Sequence, residues 1–405
     1  MKAGAVAALA VALLALPAQA GVQPVTSRQL ALMPLSKAAL GSAAATLPLI
    51  EGSGVIPNAR AAGDANGHVT AKQLAGIGRL NGYELDYQDQ AGTALRQGHG
   101  LLEVKTRVDL YAGEQAAVRA LAFWRKDELV PTGLQGGGLS ISMTPLTIHG
   151  LGPGWFAYDR KEGIAGKAPL YGADVAFRSG RLLGFVSINA ADRSESPSLA
   201  GRLALALRSR IGGVLAGRVA GSPVAVPPKA KAGPPPNGPP LDRLALTAAE
   251  VGGGKLEHEG YQVDEDLQPI SEYARSFSPA VAFPFLSEEI ALFHSDLEAS
   301  YGIAAIGAIF GSPAAERFFK TFVGGTFSSF SSTRLSLSAG DESYAGILHV
   351  GLPNGQKVDE AFILLRVGAV TDMIVAGGLP GAVTAADVNA LARKAAQKIS
   401  SGLKK

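Results

Sequence analysis

Cysteine is absent from all 405 residues. That removes disulfides, thiolate nucleophiles, zinc-thiolate centres and the cysteine that a lipobox needs for a covalent lipid anchor. A strong charge of either sign is also missing, since 37 basic side chains face 34 acidic ones for a net +3. Basic residues are scattered except for Lys394, Lys398, Lys404 and Lys405, a place where the dipole of a closing helix favours cations. Nucleic acid is therefore not an expected partner. The chain has no G-x-S-x-G elbow, no S-x-x-K with its companion motifs and no Walker spacing, so no catalytic residue and no cofactor is assigned.

Long apolar runs are absent too, except at the start, MKAGAVAALAVALLALPAQA. One cation at Lys2, an apolar stretch over 5–16, Pro17 and a small-x-small ending are the parts of a secretory signal in order. The apolar stretch is shorter than the roughly 20 residues that span a bilayer. Cleavage after Ala20 is expected, giving a secreted or periplasmic protein with no transmembrane segment. The remaining 385 of the 405 residues suffice for two domains whose cores need no disulfide.

The clearest boundary is GRVAGSPVAVPPKAKAGPPPNGPP at 217–240. Its prolines remove backbone donors and fix φ, so an extended linker is expected between a domain at 21–216 and a second at 241–405. The two read as copies of one unit. VAFRSGRLLGFVSI at 175–188 matches ILLRVGAVTDMIVA at 363–376, and a shift of 188 sets Arg178 on Arg366, Gly180 on Gly368, Leu203 on Leu391 and Ile211 on Ile399 without a gap. Each reads as strand, glycine turn, strand and a closing amphipathic helix. The helix stripe is Leu199, Leu203, Leu207 and Ile211 in the first copy, and Val388, Leu391, Ala395 and Ile399 in the second, spacings that share one face at 3.6 residues per turn. Thr384 is the expected cap, with Asp387 three residues on.

Upstream, LLEVKTRVDLY at 101–111 alternates like a strand and leads to a helix over 114–125. The second copy reads as a strand through 289–310 followed by the helix AAERFFKTF at 314–322. Short helices are expected at 70–80 and 244–251, before strands bearing Tyr83, Tyr87 and Tyr261. The class is α+β: two tandem, related domains, each an antiparallel sheet with helices packed on one face. This order of elements resembles the exported sensor-like domains of bacterial envelope lipoproteins and of the extracellular side of some receptor kinases. The cysteines usual in some of those domains are missing here, and no functional residue is carried over from the resemblance.

Three groups of side chains invite chemistry. In GPGWFAYDR, Trp155, Tyr158 and Arg160 combine aromatic faces and a cation beside glycines, a grouping that can line a ligand cleft. In FHSDLEAS, alternation on a strand would put His294, Asp296 and Glu298 on one face as candidate metal ligands. DANGHVTAKQ at 64–73 is like part of a calcium loop but lacks its first and twelfth ligands, and an Asn66-Gly67 turn before a helix capped by Thr70 explains it. Glycines at 252–254 and at 150, 152 and 154 read as turns. The expectation is an exported, non-catalytic binding or sensor-accessory protein, its partner a small molecule or an envelope protein. The alternatives are a secreted hydrolase with dispersed catalytic residues and a structural envelope protein.

Overall fold

The computed structural model describes residues 24–63, 69–129, 138–194, 196–228, 231–263, 269–278, 283–309 and 328–404. The expected signal segment, the Asn66-Gly67 turn and the helix expected at 314–322 lie outside the described residues. Strands β1 (Gly54–Ile56), β2 (Arg79–Gln88), β3 (Leu101–Tyr111), β4 (Leu139–Pro145), β5 (Trp155–Ile164), β6 (Leu170–Ser179) and β7 (Leu182–Ala190) form one antiparallel sheet. Its order is β1-β2-β3-β7-β6-β5-β4. Strands β8 (Lys255–Gln262), β9 (Ser271–Ser278), β10 (Phe285–Leu292), β11 (Ser329–Leu335), β12 (Glu342–Gly351), β13 (Lys357–Val367) and β14 (Val370–Gly378) form the second. Read from β8, that order is β8-β9-β10-β14-β13-β12-β11. The two sheets match strand for strand, so the duplication extends from the hairpin to the whole sheet.

The matched hairpins turn alike because both need a left-handed residue at one place. Gly180 has φ 60° and Gly368 φ 61°, a region glycine enters without steric cost. In each copy the arginine two residues earlier closes the turn: Arg178 Nη1 donates to Gly180 O at 3.2 Å, and Arg366 Nη1 to Gly368 O at 2.8 Å.

The terminal helices are Ser196–Leu215 and Ala385–Gly402, and both expected stripes are buried. The first packs on Val175, Phe177, Val186 and Ile188, the second on Ile363, Leu365, Val370 and Ile374. Thr384 caps the second helix: its hydroxyl accepts from Asp387 N at 3.2 Å, and the Asp387 carboxylate accepts from Thr384 N. Thr384→Ala should cost about 1 kcal/mol, read as a lower unfolding midpoint with unchanged denaturant slope.

A second helix covers the opposite face of each sheet, which adds to the expected arrangement. In the first copy it is Glu114–Glu128, packed on Phe156, Tyr158, Ala176 and Leu183. In the second it is Asp296–Ile309, whose Ile306 meets the cluster of Leu348, Val350, Phe362 and Leu364. The strand expected through 289–310 thus ends at Leu292 and a helix follows. Ser295 starts it, accepting from Glu298 N at 3.1 Å. The stretch after Tyr301 is apolar on all sides because it is buried on two. One side meets its own sheet, where a Cβ on Gly307 would fall 2.3 Å from the Tyr344 ring. On the other, Ala304 and Ala308 pack with Leu139, Ile141 and Ile164 of the first sheet. A helix buried all round has no amphipathic period to read.

Polar contacts join the copies at the same place. Lys167 Nζ lies 2.6 Å from Glu342 Oε1, and Tyr301 Oη donates to Ala168 O at 3.0 Å. Among the described residues no helix or strand interrupts the stretch between Leu215 and Leu241. No described helix is long and apolar enough to cross a membrane.

Candidate functional site

The face of the first sheet that carries the Glu114–Glu128 helix is not fully covered by it. Alternation along β2, β3, β5, β6 and β7 puts a belt of polar side chains on the remainder. Strand register sets Asp86 beside Lys105, Lys105 beside Ser187 and Ser187 beside Asp174. The next row runs Gln88, Glu103, Asn189, Gly172, Arg160. Two hollows open over this belt, of about 280 Å³ and 260 Å³, and Arg160 lines both. The first lies over Glu103, Asn189 and Glu162 and is closed by His294 and Glu298 from the second copy. The second lies over Lys105, Ser187 and Asp174, with Trp124 and Glu128 of the covering helix as its wall. Beyond Asp89 and Gln90 a broader groove of about 1000 Å³ continues towards Arg96 and His99.

Arg160 is fixed at the centre. Its Nε donates to Asp174 Oδ2 at 3.1 Å, its Nη2 to Asn189 Oδ1 at 2.5 Å, and Nη1 meets Glu162. Gly172 makes this possible, because a Cβ there would sit 2.8 Å from Arg160 Nη2 and 2.9 Å from Ile188 O. On the other flank Lys105 Nζ stands between two carboxyls, 3.1 Å from Glu103 Oε1 and 3.4 Å from Asp86 Oδ2. Burial raises Asp86 well above its ordinary value, and Glu103 adds to this. Burial pushes on Glu103 as well, but Lys105 and the bonds from Asp86 and Asn189 bring it below the usual range. Glu128, partly buried at the end of its helix, is pushed up to about 8 by burial and by the Asp174 carboxylate. Arg107 lies 5.4 Å from the ring centres of both Trp124 and Phe185 and is anchored by two bonds to Asp109, at 2.8 and 2.9 Å.

Of the residues singled out from sequence, Arg160 is in the cleft. Tyr158 is buried in the adjacent core, its ring 5.8 Å from Phe156. Trp155 points the other way and packs on the core beneath the terminal helix, since odd and even positions of one strand face opposite sides. The metal-ligand grouping changes with the helix that replaces the expected strand. His294 precedes the helix, Asp296 opens it with Oδ1 accepting from Leu297 N at 2.9 Å, and Glu298 Oε2 lies 3.6 Å from His294 Nδ1. His294 and Glu298 reach the first hollow; Asp296 does not line it. Among the described residues no three His, Asp or Glu side chains converge as a metal site. Sequence reading missed Asp86, Glu103, Lys105, Asp174 and Glu128. The 188-residue shift was the signal: it sets Asp174 on Phe362 and Ser187 on Val375, a polar-to-apolar change inside matched strands.

Among the described residues, the grouping that a hydrolase needs has a partial counterpart on the second sheet. His349 Nδ1 is 2.7 Å from Asp359 Oδ1, and Ser331 pairs with His349 across β11 and β12. None of the three hollows above includes these residues.

No family model matches the chain, and no curated protein matches it in sequence. Among solved structures, the extracellular domain of PknH from Mycobacterium tuberculosis aligns with 47% of this chain and 99% of its own, at 13% identity and a TM-score of 0.33. At that depth the likeness transfers no function, and what the chain does has to be argued from its cleft.

Proposed function

We propose that this is an exported, two-domain, non-catalytic binding or sensor-accessory protein that takes a small polar molecule in the cleft of its first domain, while the second domain serves as scaffold. The observation that carries this is the contrast between copies at matched positions. Arg160, Glu162, Asp174 and Ser187 correspond to Leu348, Val350, Phe362 and Val375, which are apolar and lie under the Asp296–Ile309 helix. One backbone thus carries an open polar belt in one copy and a filled core in the other. Stability alone would favour the filled version, because polar groups on a partly covered face must find partners, whereas convergent polar groups in a hollow suit ligand recognition. The signal-like start supports the exported part. The hydrolase reading rests on the Ser331, His349 and Asp359 row, and labelling of Ser331 by a fluorophosphonate would favour it.

The test is thermal unfolding of the full chain with amino acids, sugars and aliphatic amines as probes. At least one class should raise the midpoint, by an amount that follows saturation; at a hundredfold excess over Kd the stabilisation is about 2.7 kcal/mol. Arg160→Ala and Gly172→Ala should abolish the response. Leu348→Ala, at the matched position of the second copy, should lower stability and leave the response intact. A midpoint indifferent to all three classes, or a response that survives both cleft variants, would remove the reading.

A further inference from the structure

The cleft described above can be read for the kind of molecule it would hold, an inference that rests on its being a binding site. Its lining has more acid than base. The first hollow is bordered by Asp89, Glu103, Glu162 and Glu298, with Arg160 as its permanent cation and His294 beside it. Glu84, Asp127, Glu128 and Asp174 border the second, against Lys105, Arg107 and Arg160. The cations are already engaged. Arg160 is held by Asp174 and Glu162, Lys105 sits between Asp86 and Glu103, and Arg107 is bound to Asp109. An anionic ligand would meet no cation left for it. One carboxyl, by contrast, has room for positive charge. Glu128 lines the second hollow, with neighbouring charges and burial as the influences on it.

We infer that the cleft binds an organic cation, an aliphatic amine in its protonated form, with the Glu128 carboxylate receiving the ammonium group. Two observations favour an amine over a metal ion. The carboxyls are spread along the belt and do not converge. The same hollow has apolar walls in Trp124, Phe156 and Phe185, against which methylene groups lose water favourably, and aromatic rings also attract ammonium groups.

This choice of ligand couples binding to a proton. Facing Glu128 are Asp174, Arg160 and Asp127, and around the hollow stand Glu84, Lys105 and Arg107. Burial and Asp174 keep Glu128 protonated at neutral pH, with its titration near 8. An ammonium group favours the ionised carboxylate and so displaces the proton. Affinity should therefore rise with pH up to about 8, approaching tenfold per unit on the acid side, while an aliphatic amine stays charged.

The experiment is isothermal titration of the full chain with putrescine at pH 6.5, 7.5 and 8.5, each in two buffers of different ionisation enthalpy. Glucose, acetate and magnesium chloride serve as the neutral, anionic and metal probes. Putrescine should bind, release close to one proton at pH 6.5 and tighten by several-fold or more between the first two pH values. Glu128→Gln should weaken binding at pH 8.5 by about tenfold or more and flatten the pH dependence. Glu128→Lys, which carries its own ammonium group into the hollow, should abolish binding while the unfolding midpoint stays near that of the parent. Cleft-dependent binding of glucose, acetate or magnesium in place of putrescine would overturn the amine assignment and leave the binding site standing. Putrescine binding that ignores both Glu128 variants would also overturn it. Silence from all four probes would overturn the assignment, and the wider reading falls only if the thermal survey is silent as well.

Discussion

Replacing Asp109 by alanine is expected to destabilise the protein by about 3–5 kcal/mol, the largest effect of any single substitution considered. Asp109 is completely buried and receives two arginines at once. Arg79 Nε and Nη2 reach its two oxygens at 2.8 Å each, and Arg107 approaches from the neighbouring position at 2.8 and 2.9 Å. Arg79 also donates to Asn58 Oδ1 and Ile56 O, tying β1 and the segment after it to the sheet. The site is built around a missing side chain, since a Cβ at Gly82 would fall 2.2 Å from Asp109 Oδ1. Removing the carboxylate takes from Arg79 and Arg107 the buried countercharge they share, which is where the cost arises. Burial alone would raise the Asp109 carboxyl, but Arg107 and Arg79 outweigh it and hold the group at about 2. With an unfolded value near 3.9, its stabilisation is complete above pH 4 and fades as pH falls towards 2. Chemical denaturation at pH 7 and pH 3 checks both parts: the gap between parent and variant should narrow at the lower pH. A loss under 1 kcal/mol, or a gap that widens with acid, would contradict this account. Because Arg107 walls the second hollow, the variant should also lose the ligand response proposed for the cleft.

Asp372→Val should do the reverse, stabilising the chain by about 1–3 kcal/mol at pH 7. Asp372 lies on β14 beneath the terminal helix, between Ile290 and Leu365, and neither carboxyl oxygen has a hydrogen-bond partner. Burial raises it well above its ordinary value, with Glu288 and Glu289 adding to the effect. Glu288 is itself raised to about 7 by burial, despite the Leu246 N–H and Arg275. The sign follows from the unfolded values near 4. Each carboxyl is held above its unfolded value, so folding opposes its ionisation, and the penalty is absent below about pH 4 and grows as pH rises from there. Valine removes the Asp372 share and suits a buried strand. Calorimetric midpoints at pH 5 and pH 8 should show an advantage for the variant that increases with pH. A lower midpoint at both pH values, or an advantage independent of pH, would mean that Asp372 has a partner that this account lacks.

How much of this was legible in the sequence depended on whether the signal was local. The Arg178 and Arg366 hairpins and the terminal stripes repeat at one shift, and each is contained within about 40 residues. The Asp296–Ile309 helix was read as strand because it is buried against both sheets and shows no polar face. The cleft was hidden for a different reason. Its members come from five strands and two helices, and each strand alone looks like the solvated side of an antiparallel sheet, the ordinary meaning of alternation. Only the register of β2, β3 and β5 to β7 brings Asp86, Lys105, Asp174 and Arg160 together. Trp155 reads in the sequence as a cleft aromatic beside glycines, although strand geometry sends it to the face opposite Arg160.

The Asp296–Ile309 helix has a bearing on why two copies persist. It fills the face of its own sheet, so that repeat cannot recover an open belt without shedding a core element. It also leans on Leu139, Ile141 and Ile164 of its sibling and brings His294 and Glu298 to the sibling's cleft. A descendant that discarded the second repeat would lose the far wall of the cavity along with the surplus domain. The two repeats are thus tied by more than the stretch of chain between them, since a helix of one completes the cavity of the other.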